Sequence, residues 1–454
     1  MNLYKSIKYV LTGVLVFMIG SCDLDETNIN PDNPEEVPSR VLLSSAEAGF
    51  AYSLGGDMGR YANVITQHLA GIGRQHLVIG RNQITENDVN NAWRFNLYPI
   101  MQNLRIIIDQ ANESNSPHFS GAAKVMLASV LGVTTDAWGA IPYTDAFQGI
   151  ENFNPTYDSQ EEIYGIIQGL LDEAIVELQA TESVNTLGST DLIYRGNLAN
   201  WVKAAYTLKA RYYNHLSNVS PQESAQQALN ALTNGFTSNA ENMQFVFGSA
   251  ETEANPYYQF NDQRGDVVMA EYFTDLLEDN NDPRLMQFVT PLDGSFEGAT
   301  SGVAEDGSSM GPYYASINSP VPFITYPEAL FIKAEAHLRL GQNTEAAAAY
   351  NDAVKASLRN VTGSDDYPAF VLANASATAL TISLEQIMTQ KYIAMFSTFE
   401  TWVDVRRTGL PSIPMAQNAL GPVPLRFPYP QSERTFNASN VPDVTLTTPL
   451  YWDE

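Results

Sequence analysis

Apolar residues recur at three- and four-residue spacing through Val41–Leu54, Tyr61–Ala70, Val89–Ala111, Ala122–Trp138, Ile163–Leu178, Leu198–Leu216 and Ala225–Leu232. They return through Pro327–Leu340, Thr344–Leu358 and Leu384–Phe396. That is the period of helices with one face turned to a core. The punctuation agrees: Pro38-Ser39 precede the first run, Ser159 with Glu162 forms a capping box, and Gly341 follows Leu340. Strand-like pieces are few, mainly Met243–Phe247 and Val321–Thr325. The pattern predicts a mostly α fold. At about 150 residues per domain the length would suggest three domains, but the unbroken helical periodicity predicts one body over residues 39–454.

One stretch is more specific. In "LGQNTEAAAAYNDAV" (Leu340–Val354) a Leu-Gly ends one helix, and Ala346, Tyr350 and Ala353 line the next. Small residues there let two antiparallel helices approach closely, with Tyr350 filling the groove between pairs. This is the second half of a tetratricopeptide repeat, and it predicts a helical pair near residues 327–358. Between the helices lie long irregular stretches, Gly71–Asp88, Ile141–Asp158, Glu251–Gly265 and Thr290–Pro322, and the region 241–322 reads as an irregular lobe. Loops of this length in a compact chain are functional or disordered. Their aromatics, with Asn, Asp, Gln and Arg nearby, favour function.

The first 38 residues have a different character. Lys5 and Lys8 make a basic start, and the fourteen residues Tyr9–Cys22 carry no charge. That run is too short to span a bilayer, which takes about 20 residues, but it suits a secretory leader. Ile19-Gly20-Ser21 before Cys22, the only cysteine, resemble a bacterial lipobox, in which the cysteine becomes the acylated first residue. Residues 1–21 then read as a lipoprotein signal peptide and 22–38, acidic and proline-punctuated, as a solvated tether. The formal net charge is −27, and loss of residues 1–21, which hold two lysines and no acid, makes it two units more negative. Such a field disfavours nucleic acid and anionic membrane surfaces, and it favours a neutral ligand.

Catalytic and metal motifs are mostly missing. "GSSMG" (Gly307–Gly311) fits a nucleophile elbow in letters only, because it reads as loop followed by Pro312. His68, His76, His118, His215 and His337 show no zinc-binding spacing. Asp23 and Asp25 open like a calcium loop, but Asn28 sits where glycine is needed. Nothing singles out a carboxylate pair for glycoside hydrolysis. The sequence predicts no enzyme and no cofactor. Aromatic loops rich in amides suit sugar, whose C–H faces stack on rings while its hydroxyls need donors and acceptors. "NPYYQFNDQR" (Asn255–Arg264) and "MGPYYASIN" (Met310–Asn318) concentrate such residues. Tyr257, Tyr258, Tyr313 and Tyr314 are therefore expected as outward stacking faces. His76, Arg81 and Arg264 are expected as polar partners, with Trp93 as a further candidate. Trp93, Trp201 and Trp402, inside helical runs, read first as core.

Five stretches carry a family resemblance: "NNAWRFNLYPIMQNLRII" (Asn90–Ile107), "LANWVKAAYTLKARYYNHLS" (Leu198–Ser217), "FITYPEALFIKAEAHLRLG" (Phe323–Gly341), "QKYIAMFSTFETWVDVRRTGLP" (Gln390–Pro411) and "PLRFPYPQSE" (Pro424–Glu433). With the lipobox they resemble the SusD/RagB family of Bacteroidetes outer-membrane lipoproteins, and more narrowly its SusD-like, nutrient-binding branch. The resemblance implies a tetratricopeptide-like helical body and an irregular lobe that binds oligosaccharide. It also implies an outer-membrane lipid anchor and a SusC-like TonB-dependent transporter as partner, over which the protein sits as a lid. Peptide capture, as in the RagB-like part of the family, is the alternative. No ligand residue transfers by position, since none lies in the shared stretches.

The lipobox reading has a direct check. Cys22→Ala is expected to leave the protein uncleaved or soluble, and its persistence in salt-washed outer membranes would contradict acylation at Cys22.

Overall fold

The computed structural model describes residues 37–453, so Cys22, the signal peptide and all but the end of the tether lie outside the described residues. The chain begins with α1 (Ser39–Leu54), α2 (Asp57–Ile65), β1 (Leu69–Gly71) and α3 (Arg74–Gly80). A widened π-helical turn, Ala92–Leu97, then runs into α4 (Tyr98–Glu113). It lies directly before Pro99, which has no N–H with which to continue the helical ladder. Next come α5 (Pro117–Trp138), α6 (Gln160–Leu178), α7 (Leu198–His215) and α8 (Pro221–Leu232). Ser159 and Glu162 cap α6 reciprocally, as the sequence predicts. From α4 to α8 each helix packs on the next, and α13 (below) packs on α8. Helix α5 is buried along almost its whole length.

The middle of the chain is irregular: β2 (Met243–Val246), α9 (Pro256–Gln263), β3 (Val267–Met269), α10 (Glu271–Asp279), α11 (Leu285–Phe288), β4 (Val289–Thr290), β5 (Ser309–Met310), α12 (Pro312–Ala315) and β6 (Pro320–Ile324). Its strands make three antiparallel pairs, β1 with β3, β2 with β6, and β4 with β5. The last part returns to helices: α13 (Tyr326–Arg339), α14 (Asn343–Thr362), α15 (Pro368–Asn374), α16 (Leu384–Ala394), α17 (Glu400–Thr408) and α18 (Gln431–Phe436). Helices α13 and α14 form the expected hairpin. Gly341 turns between them at φ +72°, and Phe331 and Ala334 meet Ala346, Tyr350 and Ala353 in one apolar cluster.

Three expectations need correction. The stretch Tyr61–Ala70 is not one helix, because Gln67 at φ +56° turns the chain from α2 into β1. The stretches 71–88 and 251–265 are not plain loops, since they hold α3 and α9. Helix α9 starts where Asn255 accepts from the N–H groups of Tyr257 and Tyr258, with Pro256 at the first helical position. Such short helices leave no readable periodicity. "GSSMG" is also not loop throughout: Ser309–Met310 pair with β4, and α12 follows.

Buried charge joins the helical halves. Arg211 of α7 donates to both Glu328 oxygens of α13 at 2.6 Å. His215 bonds Glu400 of α17 at 2.8 Å and lies 3.4 Å from Asp136 of α5. Lys391 of α16 lies 2.7 Å from Asp404, and Arg407 holds both Asp404 and Glu335. All these groups are buried. Burial alone would lower the His215 pKa, but Glu400 and Asp136 outweigh it and hold it up at about 9. Burial would raise the carboxyls of Glu335 and Glu400, yet Arg407 for the first, and His215 and Arg211 for the second, bring them well below the usual range.

A pH optimum follows. The His215 proton is bound more tightly in the folded state than at the unfolded value near 6.5. Its contribution is therefore complete below pH 6.5 and fades as pH rises through 9, by about 3 kcal/mol. His68 and His76 are lowered by burial to about 3, so below pH 6.5 the unfolded chain takes protons that the folded one refuses. Melting temperature is expected to peak near pH 6.5 and fall on both sides; a flat profile between 6.5 and 9 would contradict a charged, buried His215.

Candidate ligand-binding surface

The two tyrosine pairs expected from the sequence do come together. Asn255 ties them: its N–H donates to Ile317 O at 2.8 Å and its amide to Ser319 O at 2.9 Å, which sets α9 against α12. The rings do not all face outward, however. Tyr257 is 2 % and Tyr314 5 % exposed. Tyr314 stacks on Phe288 at 17° and meets Phe396 edge-on, so apolar contact draws it into the core. Tyr258 and Tyr313 are half-buried, and the Tyr313 hydroxyl accepts from Asn360 at 2.7 Å. These two keep a face that a ligand could reach.

The polar candidates divide between two places. Pairing of β1 with β3 brings α3 close to α9, and there His76 and Arg264 both approach the Phe260 ring. Asp266 binds Arg264 at 2.9 Å and Arg74 at 3.1 Å, and both guanidiniums remain largely exposed. The half-buried ring of Phe260 lies under Arg60, 4.2 Å from the guanidinium carbon, and under Arg264 at 5.8 Å. His76 is buried between Tyr61 and Phe260, and it is kept neutral by burial and then by Arg60. Arg81 belongs elsewhere. Its side chain donates to Gly302 O at 2.8 Å and its carbonyl accepts from Leu420. The neighbouring Asn82 lines a cleft of about 320 Å³ with Ile65, Gln67, Trp402 and Pro411.

Trp93 is 3 % exposed and packs edge-on against Trp138 at 5.2 Å; Trp201 and Trp402 are fully buried. The core reading of these three tryptophans describes where they sit. His68 is also a packing residue, with Nδ1 2.8 Å from the Asn63 amide oxygen and Nε2 3.0 Å from Tyr392 O.

Sequence reasoning left out Arg60 and counted Phe260 only among the loop aromatics, since their pairing depends on α9 folding back over α2. It also left out the exposed ring of Phe436 and did not single out Phe153 from the other loop aromatics; they are 67 % and 71 % exposed. Their segments are joined by Asn154 donating to Phe436 O at 2.6 Å and Asn437 donating to Pro155 O at 2.9 Å. No periodicity marks these positions. An enclosed cavity of about 30 Å³ beside Arg211, Glu328 and Glu400 is too small for a sugar ring. Any such ligand must sit on the surface or in the wider clefts.

Comparison with known proteins places this geometry. Residues 31–430 match the SusD-like family model described as "Starch-binding associating with outer membrane". No curated protein sequence matches the chain significantly. Among solved structures, a SusD/RagB family protein from Bacteroides thetaiotaomicron superposes with a TM-score of 0.75 at 26% identity, covering 92% of this chain and 99% of its own. A protein named as chitin-binding superposes at 0.78 with 25% identity, over 92% of this chain and all of its own. A chitin-binding SusD homolog from Flavobacterium johnsoniae, at 22% identity and TM-score 0.77, covers 91% of this chain and 97% of its own and shows the fold alone.

The burial pattern separates the tyrosines by stability. Tyr314→Ala and Tyr257→Ala are expected to cost about 3–5 kcal/mol, and Tyr258→Ala about 1 kcal/mol or less. Equal melting temperatures for all three would contradict the inward packing of Tyr257 and Tyr314.

Proposed function

The chain belongs to the SusD-like family, and from that premise we propose that it is a cell-surface lipoprotein that binds oligosaccharide and passes it to a SusC-like TonB-dependent transporter for import. The family is described as starch-binding and associated with the outer membrane. No helix among the described residues is long and apolar enough to cross a membrane, which accords with anchoring through a lipid on Cys22. The observation that carries the ligand class is the family match over residues 31–430. The name of one similar structure at 25% identity, a chitin-binding protein, points the same way.

In this reading the helical body is a rigid platform and the lobe presents the ligand surface. Tyr258, Tyr313 and Phe260 offer ring faces. Arg264 and Arg74, held by Asp266, offer donors to sugar hydroxyls. Tyr257 and Tyr314 support these groups from beneath, while Trp93 packs in the core against Trp138 and Arg81 is held apart from them by Gly302. The protein's role is capture and delivery without chemistry on the glycan, and the acidic surface favours a neutral sugar. Peptide capture is the second reading. It would rest on backbone pairing at exposed strand edges, and the strands here are two to five residues long.

Starch- and chitin-derived oligosaccharides, with a wider glycan array behind them, test the proposal by calorimetry on the purified protein. Binding of a neutral oligosaccharide is expected, without release of reducing ends. Tyr258→Ala or Tyr313→Ala should weaken it by about 5- to 150-fold, the usual cost of a stacking ring at a binding site. Binding of peptides in place of every glycan, or steady hydrolysis abolished by one carboxylate substitution, would overturn it.

A further inference from the structure

His76 has an unusual environment. Four of the five histidines have at least one ring nitrogen engaged: His68 with Asn63 and Tyr392, His118 with Ala180, His215 with Tyr164 and Glu400, and His337 with Gln342. His76 is 1 % exposed and neither ring nitrogen has a partner. The groups around it are committed elsewhere. Tyr61 donates to Asp88 O and accepts from Gln75, while Asp266 is taken by Arg74 and Arg264. Arg60 spends its Nη2 on Asp57 and leaves Nε without a partner. A buried imidazole with a donor and an acceptor both unmet is costly, and an apolar side chain of that shape would avoid the cost.

What covers His76 is thin. The Phe260 ring lies 5.0 Å from the imidazole, is itself half-buried, and has the side chains of Arg60 and Arg264 near its faces. A half-exposed ring on an eight-residue helix can change rotamer without disturbing the core.

We propose that His76 is the floor of a ligand subsite gated by the Phe260 ring, and that the subsite takes a neutral, hydroxyl-bearing ring. This rests on the glycan reading above and adds to it the place and chemistry of one subsite. A neutral imidazole presents one N–H and one lone pair. Hydroxyl groups can meet either nitrogen, one accepting from the N–H and another donating to the lone pair, whereas a carboxylate only accepts and an ammonium only donates. The unpartnered Arg60 Nε supplies a further donor. The displaced Phe260 ring supplies an apolar face for the C–H side of the sugar ring.

Diethyl pyrocarbonate, which carbethoxylates neutral imidazole, reads the gate, with the modified histidines mapped by mass spectrometry on the purified protein. Without ligand, His76 should react roughly ten times faster than the equally buried His68, and faster still in Phe260→Ala. The starch or chitin oligosaccharide that the protein binds by calorimetry should protect it. His76→Phe should bind that sugar about 5- to 30-fold more weakly with an unchanged or raised melting temperature, while His76→Gln, which keeps a donor and an acceptor, should retain most of the affinity. Reactivity at His76 no greater than at His68, or a bound sugar that fails to protect it, overturns the subsite and leaves the glycan function standing. A protein that binds no glycan overturns that function and the ligand named here. A melting temperature lowered in both variants, with affinity intact, makes His76 a packing residue and also overturns the proposal.

Discussion

The buried charge network between α7, α13, α16 and α17 is the constraint on which the remaining architecture depends. Arg211, Glu328, His215, Glu400, Lys391, Asp404, Arg407 and Glu335 are all withdrawn from water and joined by direct contacts. Such a network is weak evidence of net stabilisation, because desolvation offsets much of the attraction. Its geometric effect is stronger. Loss of one partner strands a buried charge, at about 3–5 kcal/mol, so the helices cannot slide or rotate past one another and still satisfy it.

From that network a continuous set of contacts leads to the proposed ligand surface. Glu400 begins α17, and the corner before it, Phe396–Phe399, packs on α2. There Asn63 accepts from the N–H of Ser397 at 3.1 Å and from His68 at 2.8 Å. His68 leads directly into β1, β1 pairs with β3, and Asp266, the residue before β3, binds Arg74 and Arg264. The Tyr257 hydroxyl lies close to Asn63 and Ser397, which fixes the underside of α9 on the same corner. The lobe has short strands and helices and little core of its own, and it takes its rigidity from the helical body through this chain of contacts.

The sequence discloses the body far better than the surface. Helices of eleven residues or more leave a period-3.6 pattern: α1, α6, α7, α13 and α16 lie within about three residues of where the pattern puts them, α8 and α14 within about four, while α5 starts five residues earlier and α4 nine later, after the π-helical turn. The hairpin at Gly341, the capping box at Ser159 and the two strands β2 and β6 are legible for local reasons: a left-handed turn, a reciprocal cap and alternation. Helices α3 and α9 are not, because one or two turns carry too few apolar positions to show a period. The direction of each tyrosine is also hidden. "PYY" in α9 and "PYY" in α12 look alike, yet in one it is the first ring and in the other the second that turns inward, set by the core that each helix meets. The buried charges were in plain view inside the family stretches and gave no sign that Glu328 or Arg407 lies within the core. Charged residues read from sequence default to the surface.

Hydrogen–deuterium exchange with and without the tightest-binding oligosaccharide tests most directly the claim that the rigid body presents ligand on the lobe. The account predicts slowed exchange in three separated segments, residues 71–81, 255–268 and 310–318, and no change across α5, α13 and α14. Protection confined to the Phe153 and Phe436 segments, or spread over the concave faces of the helical repeats, would contradict it.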